Sequence, residues 1–284
     1  MRVLVTGAGG QLGRELARHC ADAGDTVDAL DRLQLDVGDP RAVSQAVQTH
    51  RPDVVVNAAA WTAVDACEGD PERAFRDNAD AVRWLRDACD GAGSHLVQMS
   101  TDYVFDGTLD RPYREDDDPN PLSVYGKSKL EGELAAGDAA TIVRTSWLCG
   151  AGGGNMVKTV LRLLASGAPL TFVTDQRGCP TFTADLVVPV RELAVQRRPG
   201  VFHVTNQRPV SWFEFVREIV DAAGGDADVV RPVIAAELVP PRPAPRPANS
   251  VLANDALQAA GIPLLRDHSE PLRELVAELG ELGV

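Results

Sequence analysis

The stretch Arg2-Val3-Leu4-Val5-Thr6-Gly7-Ala8-Gly9-Gly10-Gln11-Leu12-Gly13 decides the fold. Arg2 to Thr6 is a short apolar run of strand type that ends at glycine. Gln11 to Ala23 carries apolar residues at helical spacing, at Leu12, Leu16 and Cys20. Between them Gly7, Gly10 and Gly13 form a G-x-x-G-x-x-G turn. With no Cβ in the way, a pyrophosphate can approach the backbone, and the helix N-terminus offers free N–H groups and a positive dipole end. A glycine triplet alone is a weak signal; a strand before it and a helix after it make a dinucleotide site the better reading than a bare turn.

The same rhythm continues outward. Thr26 to Leu30 reads as a second strand ending at Asp31, Pro40 to His50 as a helix, and Val54-Val55-Val56 as a strand buried on both faces. Pro71 opens a long helix reaching about Gly91, with proline in its first turn as helices allow. His95 to Met99, Tyr125 to Ala136 and Thr141 to Arg144 follow as strand, helix and strand. Short apolar strands alternating with helices predict an α/β fold, a Rossmann-type doubly wound parallel sheet. After about residue 147 the alternation stops. Gly150 to Gly154 is a glycine-rich loop, and later segments are short and mixed. Pro240 to Pro247 holds five prolines in eight residues and predicts an ordered extended loop. The expected organisation is a dinucleotide-binding Rossmann domain over 1–147, with some later segments returning to it. Residues 148–284 form a smaller mixed α/β part for the substrate.

Composition narrows the class. The chain has 284 residues, 44% apolar and 24% charged, which is ordinary globular usage and excludes a disordered or fibrous chain. Lys and Arg number 28 against 41 Asp and Glu, a net charge of −13, and the pI of about 4.8 argues against nucleic acid or an anionic membrane as partner. Five widely spaced cysteines without C-x-x-C fit reduced thiols rather than a disulfide framework or a zinc site. The N-terminal apolar run is too short for a signal peptide, and nothing approaches the roughly 20 apolar residues of a membrane span. A cytoplasmic protein is expected. The five histidines show no ligand spacing, and there is no hydrolase elbow, Walker loop or nucleic-acid motif. The acidic run Glu115 to Asp118 reads as a solvated loop.

Tyr125 and Lys129 stand at i and i+4, one face of a helix. A free tyrosine has a pKa near 10, too high to work easily at neutral pH, and a neighbouring ammonium lowers it. Ser100-Thr101-Asp102 follows Leu96 to Met99 at the C-terminal end of a strand, where open α/β sheets bind ligands. The Thr101 hydroxyl there can hydrogen-bond a carbonyl oxygen under reduction. Glycine loop, strand-end hydroxyl and tyrosine–lysine pair are three parts of a hydride-transfer site in the expected order. Asp31, about 20 residues beyond the glycine turn, can accept hydrogen bonds from ribose hydroxyls, which favours NADH. Arg32 beside it can accept a 2′-phosphate, which favours NADPH, so the pair leaves the choice open. Asp36 and Val37 either flank the adenine or end a loop.

These segments, together with Asn57 to Asp65 (NAAAWTAVD), Ser100 to Gly107 (STDYVFDG), Arg144 to Trp147, Asp175 to Thr181 (DQRGCPT) and Arg246 to Ser250, resemble the extended short-chain dehydrogenase/reductases. The branch they are similar to is the dTDP-4-dehydrorhamnose reductases. The likeness covers essentially the whole chain. It implies that Tyr125 donates a proton, that Lys129 activates it and holds the nicotinamide ribose, and that Thr101 binds the reacting C4 oxygen while Asp102 contacts the sugar. It implies cofactor contacts at Gly10, Gln11, Leu12, Asp31, Asp36, Val37, Ala60, Trp61, Thr62 and Tyr103, beside Gly7, Gly13 and Arg32 of the reading above. It implies that Trp147 touches a dTDP-sugar substrate, with NADPH or NADH as reductant. Members of this family often carry a small or polar residue in place of Trp61 and a tyrosine in place of Cys149, so fine substrate shape is where this chain departs. Some members form dimers bridged by Mg²⁺ through acidic residues. Glu15 matches the first of these and the others do not align securely, so Mg²⁺ at a dimer interface stays an option and no metal site is assigned; a monomer or a homodimer is expected. Two other readings compete, a reductase of a different dTDP-4-keto-6-deoxyhexose and a non-catalytic regulatory subunit on the same fold. Intact Tyr125, Lys129 and Thr101 speak against the second.

Overall fold

Unbroken apolar runs with no polar alternation must be covered on both faces. The computed structural model, which describes residues 1–281, shows how this is met. The chain runs β1 (Arg2–Thr6), α1 (Gln11–Asp22), β2 (Thr26–Leu30), α2 (Pro40–His50), β3 (Val54–Asn57), α3 (Val64–Gly69), α4 (Pro71–Phe75), α5 (Ala81–Ala92), β4 (His95–Thr101), α6 (Val124–Ala136) and β5 (Thr141–Thr145). There follow β6 (Leu148–Cys149), α7 (Met156–Ala165), β7 (Leu170–Val173), β8 (Arg177–Gly178), β9 (Thr181–Phe182), α8 (Thr183–Gln196), β10 (Gly200–His203), β11 (Val210–Ser211), α9 (Trp212–Ala222), β12 (Val230–Val233), α10 (Asp255–Ala259) and α11 (Ser269–Glu281).

Six strands form one parallel sheet in the order β2-β1-β3-β4-β5-β10. Val3, Val5, Val54, Val56 and Val97 point to one face and pack with Leu12 and Leu16 of α1 and Leu186, Val190 and Leu193 of α8. Leu4, Val55, Leu96 and Ile142 point to the other and pack with Val43 and Val47 of α2, Val82 and Leu85 of α5 and Ala135 of α6. Strand order reverses between β1 and β3, and such a switch point opens a crevice at the C-terminal strand ends. The fold is a Rossmann-type doubly wound parallel sheet. A second core around Phe215, Ile219 and Val160 joins α7, α9, β7, β12 and α11. Strand β10 comes from the later half of the chain and completes the main sheet. Of the 148–284 segment, residues 282–284 lie outside the described residues.

The helix expected from Pro71 to Gly91 is not one regular α-helix. Arg76 to Asp80 is a π-helical turn between α4 and α5. Such turns insert a residue into a helix and are frequent at functional sites. Here the turn carries Asn78, whose side chain holds the backbone of Trp61. Helix α3 was not foreseen; six residues are too few to show a period. The proline-rich segment 240–247 is an ordered loop. Ala244 N donates to Asp65 at 3.1 Å, and Arg246 grips the same carboxylate at 2.7 and 3.0 Å. The acidic run is only partly solvated: Glu115 is half-buried and accepts N–H bonds from His203 and Ala256, while Asp117 forks with Arg111.

Candidate active site

The glycine turn divides its labour. Gly7 sits at φ +67, and a Cβ there would come 2.7 Å from Ala59 N, so β1 can enter the turn only as glycine. At Gly13 a Cβ would lie 2.3 Å from the Gly7 carbonyl oxygen. These two let α1 close onto the loops after β1 and β3. Gly10 differs. A Cβ there would meet only Gly7 O, at 3.3 Å, and otherwise project into the cleft that Gly10 lines. The first-turn N–H groups of α1 have no intrahelical acceptor, and no acidic residue stands in that turn. A phosphate-bearing ligand fits this cradle. Gly13→Ala forces backbone apart and is expected to cost about 1–3 kcal/mol of stability, as overpacking does; thermal melting checks this, and an unchanged Tm would refute the close approach.

Beside the turn a cavity of about 180 Å³ is lined by Arg32, Asp36, Val37, Ala60 and Trp61 among others. Arg32 is exposed, and the Arg73 guanidinium lies over the Trp61 ring at 4.2 Å. The Asp31 carboxylate is engaged by its own turn, accepting from Leu33 N at 2.9 Å and Gln34 N at 3.1 Å.

The main cleft, about 500 Å³, runs over the C-terminal strand ends and is lined by Gly10, Gln11, Leu12, Thr62, Thr101, Asp102, Tyr103, Tyr125, Lys129 and Trp147. Ser123 caps α6 by accepting from Gly126 N. Gly126 packs so closely on the turn after β4 that a Cβ would lie 2.2 Å from Tyr103 O. This brings Tyr125 to Thr101, and places Lys129 one turn on with its ammonium donating to Met99 O at 2.7 Å. Thr101 donates to Asp102 Oδ1 at 2.9 Å and accepts from Tyr103 N. Asp102 Oδ2 and Thr145 Oγ1 are buried and, among the described residues, have no hydrogen-bond partner, although both residues line the cleft. Buried polar atoms are normally satisfied, so these two oxygens fit a polar ligand in the cleft.

Burial is the largest influence on Tyr125 and pushes its phenol above the ordinary value, with a hydrogen bond to Thr101 pulling the other way. The Lys129 ammonium donates to Met99 O and is itself brought down to about 8 by burial, against the pull of Glu133. The phenol is thus protonated at neutral pH, and positive charge beside it is what would make it a stronger acid. Burial also pushes Asp102 up to about 6.

Several residues around the cleft escaped the sequence reading. Asn78 accepts from Trp61 N at 2.8 Å, donates to Trp61 O at 3.1 Å and to Ser128 Oγ at 3.0 Å, fastening the 60–62 loop to α6. A polar side chain on the buried face of a helix is the signal that would have found it. Glu133, one turn after Lys129, forms a buried pair with Arg144 at 2.7 Å and accepts from Ser100. Trp147 is half-buried on the cleft wall rather than in the core, stacked on Trp212, which follows a strand too short to announce itself. Glu15 pairs with Arg18 on α1, and among the described residues no three His, Cys, Asp or Glu side chains gather as metal ligands do.

Comparison with known proteins fits this geometry. The family model described as RmlD substrate binding domain matches residues 1–281. A dTDP-4-dehydrorhamnose reductase of Streptomyces griseus is 44% identical over 99% of this chain and 92% of its own. A probable dTDP-4,6-dihydroxy-2-methyloxan-3-one 4-ketoreductase of Streptomyces antibioticus is 43% identical over 98% and 96%. The crystal structure of dTDP-4-dehydrorhamnose reductase from Bacillus anthracis in complex with NADP superposes with a TM-score of 0.93, at 36% identity, covering 98% of this chain and 99% of that one.

Proposed function

Since the chain belongs to the RmlD family of dTDP-4-dehydrorhamnose reductases, we propose that it is the NAD(P)H-dependent reductase of the C4 carbonyl of dTDP-4-dehydro-L-rhamnose, giving dTDP-L-rhamnose. The observation that carries the reading is the meeting of Thr101, Tyr125 and Lys129 beneath one cleft that opens onto the glycine turn.

Gly10, Gln11 and Leu12 would hold the pyrophosphate, Arg32, Asp36, Val37, Ala60 and Trp61 the adenosine end, and Thr62, Tyr103 and Lys129 the nicotinamide end. A nicotinamide cofactor held by these residues would supply the hydride that the carbonyl carbon needs. Tyr125 gives its proton to the carbonyl oxygen as that oxygen becomes a hydroxyl. Thr101, turning its one hydroxyl proton from Asp102 to the substrate, donates to the same oxygen and so orients the carbonyl. Lys129 holds the ribose and offers its positive charge near the phenolate that Tyr125 leaves behind. Asp102, with one oxygen unsatisfied, accepts from a sugar hydroxyl. Trp147 packs against the sugar. Five buried, free cysteines suit a reducing compartment, and we place the enzyme in the cytoplasm as a monomer or homodimer.

The test is the loss of NADPH or NADH absorbance with each dTDP-4-keto sugar, followed by NMR of the product. The Streptomyces antibioticus relative, named for another 4-keto sugar, makes that sugar the second substrate to offer. Absence of turnover on every dTDP-4-keto sugar would sink the proposal.

Cofactor choice yields a further expected result. With Asp31 engaged by its own turn and Arg32 free to reach a 2′-phosphate, both cofactors should serve, with NADPH preferred. Arg32→Ala should lower kcat/KM for NADPH more than for NADH. A charge-assisted hydrogen bond is worth about 1.5–3 kcal/mol, equivalent to about 10- to 150-fold; the exposure of Arg32 puts the effect at the low end. Equal losses for both cofactors would show that Arg32 does not read the phosphate.

A further inference from the structure

The cleft has an aromatic wall whose construction the reaction does not explain. The indoles of Trp147 and Trp212 stack with centroids 3.5 Å apart and planes within 8° of parallel, and both line the cleft. Trp147 stands at φ +47, a region that a bulky side chain rarely adopts and that persists only where its surroundings impose it. Gly178 leaves the room that this placement of the ring needs. A methyl group there would lie 2.6–2.9 Å from three atoms of the Trp147 indole. Trp212 is fixed separately. Its backbone N–H donates to Gln176 O at 3.3 Å, and it opens α9 within the capping box that Ser211 and Glu214 form. The preceding β11 pairs antiparallel with β8, Val210 opposite Gly178. Ser146 donates to Cys179 O at 2.6 Å, and Thr181 N to Trp147 O at 3.3 Å. The segment Asp175 to Thr181, which carries no step of the reaction, thus frames both rings.

We propose that Trp212 is a positioning residue that clamps the Trp147 indole against Gly178, so that the stacked pair forms a fixed apolar wall beside the sugar ring of the dTDP-sugar. This rests on the function proposed above. The apolar face of a pyranose suits an indole plane, and the wall shares its cleft with Thr101 and Tyr125, where the reacting sugar carbon must lie. Without Trp212 the Trp147 ring loses its stacking partner and gains alternative orientations, so the cost falls on sugar binding rather than on proton transfer.

Steady-state kinetics on the dTDP-4-keto sugar, and titrations with dTDP-L-rhamnose and with dTDP alone, compare the wild type with Trp212→Ala and Trp212→Phe. Loss of one aromatic pairing should raise KM for the keto sugar and Kd for dTDP-L-rhamnose roughly tenfold. In Trp212→Ala, kcat should change far less, cofactor KM should hold, and dTDP alone should bind as in the wild type. Trp212→Phe should recover most of the loss. Near-ultraviolet circular dichroism should show the coupled signal of two stacked indoles in the wild type and lose it in Trp212→Ala and Trp147→Ala. The proposal is overturned by an unchanged sugar KM, by a fall in kcat at constant KM, by equal weakening of dTDP alone, or by no coupled signal in the wild type. Failure of the proposed function would appear in the wild type, as no turnover of any dTDP-4-keto sugar; failure of the clamp alone would appear only in the Trp212 variants.

Discussion

Tyr125→Phe is expected to lower kcat by on the order of 10²–10⁴-fold, the usual contribution of a positioned acid, and to leave cofactor affinity essentially unchanged. Only the phenol oxygen and its proton are removed. The ring keeps its edge-to-face contact with Tyr103 at 5.8 Å and its apolar neighbours Cys67 and Ala74. Thr101 keeps its hydrogen bond to Asp102, and Lys129 its bond to Met99 O, so neither needs Tyr125 to hold its place. Burial holds the phenol pKa above its ordinary value, so wild-type Tyr125 stays protonated through neutral pH and titration of Tyr125 should not limit the rate there. The measurements are single-turnover kinetics and a cofactor titration on the variant. Retention of more than about a tenth of wild-type kcat would remove Tyr125 from the role, since that lies below the range of positioned acids.

How much of this was legible in the sequence depends on how local the signal is. The sheet was readable because Val3, Val5, Val54 and Val56 are each buried in a short run whose composition suits only a strand covered on both faces. The glycine turn and the Tyr125–Lys129 pair were readable because their geometry is contained within a few consecutive residues. The electrostatics were not. The sign of the Tyr125 shift depends on how deeply the phenol is enclosed, which is a tertiary fact. Asn78 acts through a π-helical turn, and nothing in the spacing of residues 71–91 distinguishes that from a regular helix. Trp212 is brought to the cleft by a two-residue strand paired across a long loop, and two residues have no period to read. The buried Glu133–Arg144 pair joins a helix to a strand, so each partner alone looks like an ordinary charged residue.

Lys129→Met carries the other large expected effect, and two of its consequences run in opposite directions. On the functional side one ammonium serves both the ribose and the phenolate left on Tyr125, so the variant should lose cofactor affinity and rate together. Burial has brought this ammonium down to about 8. The wild type is therefore charged at Lys129 below that value, and its activity should fall as pH rises through about 8, while the methionine variant should show no such limb. On the stability side the sign is reversed. The folded-state pKa lies below the ordinary lysine value of 10.5, so between about 8 and 10.5 the unfolded chain binds the extra proton and stability rises with pH. The cost of burying the charge is fully present below about 8. Methionine removes that cost while nearly keeping the volume, and Glu133 remains paired with Arg144, so no charge is orphaned. Met99 O loses the ammonium but keeps the hydrogen bond that Gln98 Nε2 donates at 2.7 Å. Lys129→Met should thus melt at or above the wild-type temperature at neutral pH while being nearly inactive, and its advantage should shrink as pH approaches 10.5. Calorimetry across that range, with cofactor titrations on the same samples, decides both halves. An unchanged cofactor Kd would mean that Lys129 does not hold the ribose. A melting temperature well below the wild type would mean that the ammonium contributes net stability through Met99 and Glu133, against the burial argument.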